Sequence, residues 1–463
     1  MSSSVFNSVS ELIEKLASGE LTSEALVQQY LDRIDALDGR LQAFVEVYRE
    51  EALQQARAAD LLRQAGSILG PLHGIPVGLK DLVDIKGYVT TGGSAAYKDR
   101  QATVTATLVH RLQQQGAIIL GKTHTVEFAT GGWGTNTQLG TPWNPWDLKV
   151  ARTPGGSSSG SGVAVAAGLV PIALGTDTGG SVRLPASWCN LTGLKVSSGR
   201  ISGYGLMPLS TTLDTPGPMA RSAVDARIFY RALQGFDPLD PRGRLVPSGD
   251  NSRRLSEDLS GVRLARLPAA ERALSSSEVL QAYDETLQTL AAAGADIVDI
   301  DLPFGFNEVA ELNGLIMHSE GYSFYKELLD DPNAPLDEDV RPRLLQGRDV
   351  GAAEYLRAIR RREEMQQHFY SVFNKVDGIL TPTTLTAPIP IDAVDQSTGP
   401  AYYTRFGNFF NLSAIALPNG KTAEGLPLSF QILGKPYSEE MLLALGERYQ
   451  ARTQWHLRIP EGL

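Results

Sequence analysis

The sequence has a single cysteine, Cys189, among its 463 residues. One thiol cannot form an intramolecular disulfide, and it excludes a metal site built from several cysteines. Cys189 lies within 184–191, where apolar residues predominate, so we interpret it as part of the core and not as a nucleophile. The sequence predicts no metal site and no cofactor.

Positive charge is also scarce. The chain carries 42 Lys and Arg residues against 52 Asp and Glu residues, for a net charge of -10. That balance excludes a protein that holds nucleic acid by bulk positive charge. Glycine and proline interrupt the apolar runs before they reach the length of a membrane span, and residues 1–8 do not resemble a signal peptide. We therefore expect a cytoplasmic protein with no direct nucleic-acid or membrane partner.

None of the histidines is a clear candidate for the general base of a serine nucleophile. The chain has six histidines, and none stands in a recognisable Ser/His/Asp motif. A Gly-x-Ser-x-Gly nucleophile elbow followed by Asp and His is not evident either. A serine nucleophile in this chain therefore needs another base, and lysine is the available side chain.

What the sequence does contain is a pair of glycine–serine loops within 153–185. A flexible linker is disfavoured, because the apolar runs 163–167 and 170–174 beside the loops are typical of a packed core. A phosphate-binding P-loop is excluded, because no lysine follows Gly160 or Gly162. Loops with little side-chain bulk let backbone N–H groups converge beside a serine hydroxyl, which is what acyl transfer requires.

Lys80 differs from the other lysines because apolar stretches flank it. We predict strands at 72–77 and 82–85 with Lys80 between them, partly buried. Burial disfavours the ammonium form, and a general base near neutral pH needs the lysine pKa to fall by about 2–3 from about 10.4. The residues alone leave two interpretations open: a general base, or a buried ion pair with Asp81 or Asp84.

The organisation of the chain indicates an α/β fold, with a central mixed sheet covered by helices on both faces. Residues 1–70 read as helical, without a strand, whereas helix and apolar strand alternate later in the chain. We divide the chain into three segments. Residues 1–70 form an N-terminal helical region, and residues 71–230 form a core that contains the glycine–serine loops. Residues 231–463 form the remainder of the α/β core, which includes a variable, partly helical region that shapes a pocket. One compact unit is expected overall.

Several blocks in a fixed order resemble the amidase signature family, and the resemblance spans about residues 8–457. In chain order the blocks are 74–81, 121–129, 144–147, 154–185, 193–195, 213–222, 380–384 and 425–436. The resemblance implies a Ser–cis-Ser–Lys triad in the α/β fold. Ser181 is then the nucleophile, Ser157 the bridging serine after a cis peptide bond from Gly156, and Lys80 the base.

The same resemblance implies supporting roles for neighbouring residues. Backbone N–H groups form the oxyanion hole; they belong to Thr178, Gly179, Gly180 and Ser181. An ion pair of Asp177 with Arg183 holds the nucleophile loop, and Ser158 hydrogen-bonds to Lys80 or to the loop. Part of the substrate pocket is expected from residues just before the loops, namely Ala129, Thr130, Gly131 and Trp133, and part from 305–360.

Three hypotheses for function follow. The first is an amidase that hydrolyses a small carboxamide to a carboxylate and ammonia or an amine, acting alone or as a homodimer. The second is the A subunit of a tRNA-dependent amidotransferase, which releases ammonia from glutamine and needs partner subunits. The third is an inactive binding protein on the same fold, which the presence of all three triad residues argues against.

Overall fold

The computed structural model describes residues 4–247, 255 and 258–463, and its strands join in a single sheet. The strands are β1 (Phe44–Val47), β2 (Pro76–Lys80), β3 (Ile118–Thr123), β4 (Ile172–Asp177), β5 (Thr192–Lys195), β6 (Thr215–Ala220), β7 (Arg263–Arg266), β8 (Asp296–Asp299), β9 (Gly378–Pro382), β10 (Ser413–Lys421) and β11 (Pro427–Gly434). The helices are α1 (Val9–Ser18), α2 (Ser23–Leu41), α3 (Arg49–Gln64), α4 (Thr107–Gln114), α5 (Ser159–Ala166), α6 (Arg183–Trp188), α7 (Ala223–Leu233), α8 (Ala269–Arg272), α9 (Ser277–Ala292), α10 (Phe306–Asp330), α11 (Arg341–Leu345), α12 (Ala352–Tyr370), α13 (Arg405–Phe409) and α14 (Glu439–Gln450).

The sheet is mixed, with strand order β1-β3-β2-β4-β6-β5-β10-β11-β9-β7-β8. Strand β2 runs parallel to β3 and β4, and β7 runs parallel to β8 and β9. The other pairings are antiparallel. Strands from all three segments named above therefore lie in one sheet.

Helices cover both faces of the sheet, as predicted. Every residue of the central strands β2, β4, β5 and β6 is buried, although alternate side chains of a strand point to opposite faces. Helices α3, α5, α7, α9 and α14 pack against β3, β4, β6, β11 and β10 respectively. The continuous apolar runs in the sequence follow from this double coverage.

The N-terminal helices begin and end where local signals place them. Ser8 and Glu11 form a capping box at the start of α1, and Gly19, with φ 78°, ends that helix. Thr22 accepts a hydrogen bond from the Ala25 N–H and caps α2. The expectation of no strand in this region was wrong, because β1 pairs with β3, and that long-range pairing has no local sequence signal.

The region around Lys80 also differs from the prediction. One strand, β2, replaces the two predicted strands, and Lys80 is its last residue. Before it, Gly74 adopts φ 86°, so the chain turns at the predicted first strand. After it, Val83 makes an isolated bridge to Leu206 only. Lys80 therefore sits at the carboxyl end of a strand in the sheet interior.

Candidate active site

Lys80 meets two hydroxyl groups at the end of β2. Its Nζ atom lies 2.7 Å from Ser157 Oγ and 2.8 Å from Thr176 Oγ1. Lys80 and Ser157 are wholly buried, and Thr176 is 5% exposed. These distances are those of hydrogen bonds along which a proton can move between an amine and a hydroxyl.

The carboxylates next to Lys80 in the sequence bind other cations. Asp81 pairs with the buried Lys122 at 3.3 Å, and Asp84 pairs with Arg100 at 2.8 Å. Within the described residues, Lys80 has no carboxylate at ion-pair distance. The ion-pair interpretation of Lys80 is therefore wrong, and the lysine amine faces hydroxyls only.

The electrostatics of Lys80 suit a base. Burial lowers its pKa from 10.5 to about 7, even though Asp214 and Asp177 act in the opposite direction. A substantial fraction of this amine is thus neutral near pH 7. A neutral amine has the lone pair that a general base requires.

The Ser157 loop is held by its backbone. The Ser157 carbonyl accepts hydrogen bonds from the Val126 N–H at 3.1 Å and from Thr125 Oγ1 at 3.0 Å. The Gly156–Ser157 peptide bond is cis, as the resemblance implies. Ser158 does not reach Lys80: its hydroxyl donates to the Thr176 carbonyl and accepts from the Thr176 N–H, both at 3.2 Å.

Asp177 and Arg183 form a fully buried ion pair around the second loop. Arg183 Nε and Nη2 lie 3.1 and 3.0 Å from the two oxygens of Asp177. Burial raises the pKa of Asp177, but the Arg183 guanidinium, Lys195 and the Val182 N–H together hold that pKa below its usual range. The remaining Arg183 donors bind Gln431 Oε1 and Asn408 Oδ1, so every polar group of the pair is satisfied.

This ion pair organises the backbone that surrounds Ser181. Asp177 also accepts from the N–H groups of Gly180, at 2.7 Å, and Val182, at 3.1 Å. Gly180, expected as an oxyanion donor, therefore uses its N–H inside the loop. The N–H groups of Thr178, Gly179 and Ser181 have no acceptor among the described residues and remain open to a ligand.

A cavity of about 750 Å³ opens onto the nucleophile loop. Thr178, Gly179 and Ser181 form part of its wall, and the Ser181 side chain has no hydrogen-bond partner within the described part of the chain. Predicted pocket residues that do line the cavity are Ala129, Thr130 and Gly131. Trp133 does not: it stacks on Trp188 at 5.7 Å and donates to the Thr398 carbonyl.

Several residues of the site were not found from the sequence. Thr176, a polar residue that follows the apolar start of β4, is the second partner of Lys80. Two arginines also line the cavity. Arg343 lies within the predicted pocket segment 305–360, whereas Arg405 lies outside it. Long-range packing brings these side chains together, and no local pattern in the sequence predicts these contacts.

The described residues offer neither a metal-binding cluster nor a membrane-spanning helix. Within them, no group of three or more His, Cys, Asp or Glu side chains is arranged to hold a metal ion. In residues 4–247, 255 and 258–463, no helix has both the length and the apolar character needed to cross a membrane.

Comparison with known proteins identifies the family. The family model described as Amidase matches residues 25–443. The A subunit of the glutamyl-tRNA(Gln) amidotransferase of Roseiflexus castenholzii is 36% identical, over 98% of this chain and 97% of its own.

Solved structures extend the likeness. The peptide amidase of Stenotrophomonas maltophilia superposes with a TM-score of 0.85 at 30% identity, over 98% of both chains. A chain from a vestigial protein complex, described as revealing the origins of an s-triazine catabolic enzyme, superposes with a TM-score of 0.87. It is 31% identical, over 96% of this chain and 98% of its own.

The fold and the family together define the class of this protein as hydrolases of amide C–N bonds. The chain belongs to the amidase family, in its amidase signature form.

Proposed function

We propose that the protein hydrolyses an amide through an acyl-enzyme on Ser181, with Ser157 and Lys80 as a proton relay. The observation that carries this proposal is the 2.7 Å contact of the buried Lys80 amine with Ser157 Oγ. The cavity in front of Ser181 and the open N–H groups beside it support the same assignment. An inactive binding protein has no need of a buried amine with a pKa near neutrality that is hydrogen-bonded to two hydroxyl groups.

The proton path follows from the order of these groups. Ser181 Oγ attacks the amide carbon and passes its proton to Ser157 Oγ, while Ser157 passes its own proton to the neutral Lys80 amine. The N–H groups of Thr178, Gly179 and Ser181 stabilise the oxyanion. The C–N bond then breaks, the relay returns a proton to the leaving nitrogen, and water hydrolyses the ester on Ser181.

The form of the enzyme has two candidates. The named sequence relatives favour an amidotransferase component that releases ammonia from glutamine, with partner subunits, over a stand-alone amidase. The stand-alone form, acting on a small carboxamide, is supported by the likeness to the peptide amidase. Turnover by the purified chain alone decides between them: activity that requires both tRNA and partner subunits selects the amidotransferase component.

The mechanism itself is tested at Ser181. A fluorophosphonate probe is expected to label Ser181, and Ser181→Ala is expected to lose label and about 10⁴-fold or more of the amidase rate. The matched control is Ser187→Ala on α6, a buried serine whose hydroxyl contacts Thr384 Oγ1 at 3.2 Å and which does not line the cavity. Full activity in Ser181→Ala, or an active enzyme without an adduct on Ser181, contradicts the proposal.

A further inference from the structure

The cavity wall carries a guanidinium that the proposed mechanism does not use. Arg405, the first residue of α13, lines the cavity together with Thr178, Gly179 and Ser181. Its backbone is held against the nucleophile loop by two neighbours. Thr404 Oγ1 donates to the Gly179 carbonyl at 2.6 Å, and Asn408 Nδ2 donates to the Asp177 carbonyl at 2.9 Å. Arg405 is therefore placed at a set distance from the reacting centre.

The Arg405 side chain has no partner among the described residues. It takes part in no ion pair and donates no side-chain hydrogen bond there, although it is partly buried. Burial and the nearby Arg343 both lower its pKa, and no carboxylate offsets them. A charge held away from water without a partner is unfavourable unless a ligand supplies one.

The other ionisable groups around the cavity do not neutralise Arg405. Arg343 is a second cation, and its Nη2 binds only the neutral Gln396, at 2.6 Å to the carbonyl and 2.8 Å to Oε1. His318 is uncharged at neutral pH, because burial and the two arginines lower its pKa to about 4. Glu338, which is exposed, and Asp339 also line the cavity. Asp339 acts on Arg343, whereas no acid acts on Arg405.

We propose that Arg405 binds a carboxylate of the substrate, so that the enzyme prefers amides that carry a carboxylate over neutral or cationic amides. This inference rests on the proposed hydrolysis at Ser181, because it assigns the substrate class of the same cavity. A guanidinium recognises a carboxylate through two parallel N–H···O hydrogen bonds, which fixes orientation as well as charge. Arg343 adds positive potential on the same wall.

The first experiment uses the unmodified protein and three primary amides of similar length. They are the monoamide of glutaric acid, pentanamide and the amide of δ-aminovaleric acid, which are anionic, neutral and cationic at pH 8. We expect kcat/KM to fall in that order, with the anionic amide favoured about 10- to 100-fold over pentanamide. Equal or better turnover of pentanamide overturns the inference.

The second experiment assigns the preference to a residue. Arg405→Gln is expected to reduce the ratio of the anionic to the neutral amide by about tenfold or more, mainly through a higher KM for the anionic amide. The control is Arg348→Gln, which removes an equal charge from a half-exposed arginine that pairs with Asp330 at 3.6 Å. Its ratio is expected to stay at the wild-type value. A ratio that is unchanged in Arg405→Gln, or that falls equally in Arg348→Gln, overturns the assignment.

The two proposals fail in different ways. Fluorophosphonate labelling of Ser181 together with hydrolysis of pentanamide and of the anionic amide at equal rates overturns the carboxylate preference and leaves the mechanism in place. Absence of labelling, with no hydrolysis even when tRNA and the partner subunits are supplied, overturns the mechanism, and the substrate assignment with it. Because the first experiment needs no variant, the carboxylate preference is decided even if Arg405→Gln does not fold.

Discussion

Two lysines of this protein share burial and pKa but differ in their neighbours. Lys80 ends β2 and Lys195 ends β5, and both side chains are wholly buried. Burial lowers the pKa of each from 10.5 to about 7. Yet Lys80 contacts the hydroxyls of Ser157 and Thr176, whereas Lys195 Nζ donates to the carbonyls of Val196 and Leu412 at 2.8 and 2.6 Å.

The two lysines show that a lowered pKa is not sufficient for a catalytic base, which also needs a neighbouring group that can give up a proton. Desolvation is the main cause that brings the lysine pKa near neutrality at both sites, with Arg183 adding to it at Lys195. A carbonyl oxygen can only accept a hydrogen bond, so Lys195 has no proton to take and ties two backbone segments together. A serine hydroxyl can give up a proton, so the hydroxyl of Ser157 can exchange one with Lys80. The next residue, Ser158, donates its N–H to the Ser181 carbonyl at 3.3 Å.

Between the two lysines, the largest expected effect is the loss of catalysis in Lys80→Met. The substitution keeps an unbranched buried side chain but removes the base, so amidase kcat is expected to fall by about 10²- to 10⁴-fold. Circular dichroism and thermal melting check that the fold is retained. Activity within a few-fold of wild type in a folded Lys80→Met protein would contradict the role of Lys80 as the base.

A smaller effect is expected from pH. Below pH 7 the Lys80 amine gains a proton and cannot accept one from Ser157, since its folded pKa is about 7. The kcat/KM of the wild-type enzyme should therefore drop about tenfold per pH unit below that pKa and level off above it. The profile should be the same in Lys195→Met. If the acid limb moves in that variant, Lys195 and not Lys80 is the group that titrates.

The smallest effect on activity is expected from Lys195→Met itself. Two buried carbonyls lose their donor, so the free energy of unfolding should fall by about 1–3 kcal/mol while kcat changes little. Urea unfolding and steady-state kinetics measure the two quantities on one preparation. A loss of kcat comparable to that of Lys80→Met, without a loss of stability, contradicts the structural role of Lys195.

Much of the site was accessible from the sequence because its parts are local. The two loops carry their glycines and serines within 153–185, and Asp177 and Arg183, whose ion pair the resemblance implied, lie in the same short segment. The base was less certain. Lys80 was equally consistent with an ion pair until the structure placed Lys122 and Arg100 on the neighbouring carboxylates.

Strand β6 illustrates what local patterns could not predict. It contains Pro216 and Pro218, residues that argue against a central strand because they lack an N–H donor. In the structure β6 pairs with β4 along its whole length, but with β5 only at Met219 and Ala220. The prolines therefore lie where one side of the strand makes no ladder, and only the neighbouring strands reveal this.

The sequence by itself determined the α/β class, the two loops and the reaction type, because periodicity and short motifs act over a few residues. Only the tertiary structure decided which hydroxyl groups Lys80 contacts. It also decided that the Gly180 N–H donates to Asp177. It also placed Arg405 beside Gly179, more than two hundred residues away in the chain. Contacts of that separation depend on how helices and strands pack, and no local pattern of residues encodes them.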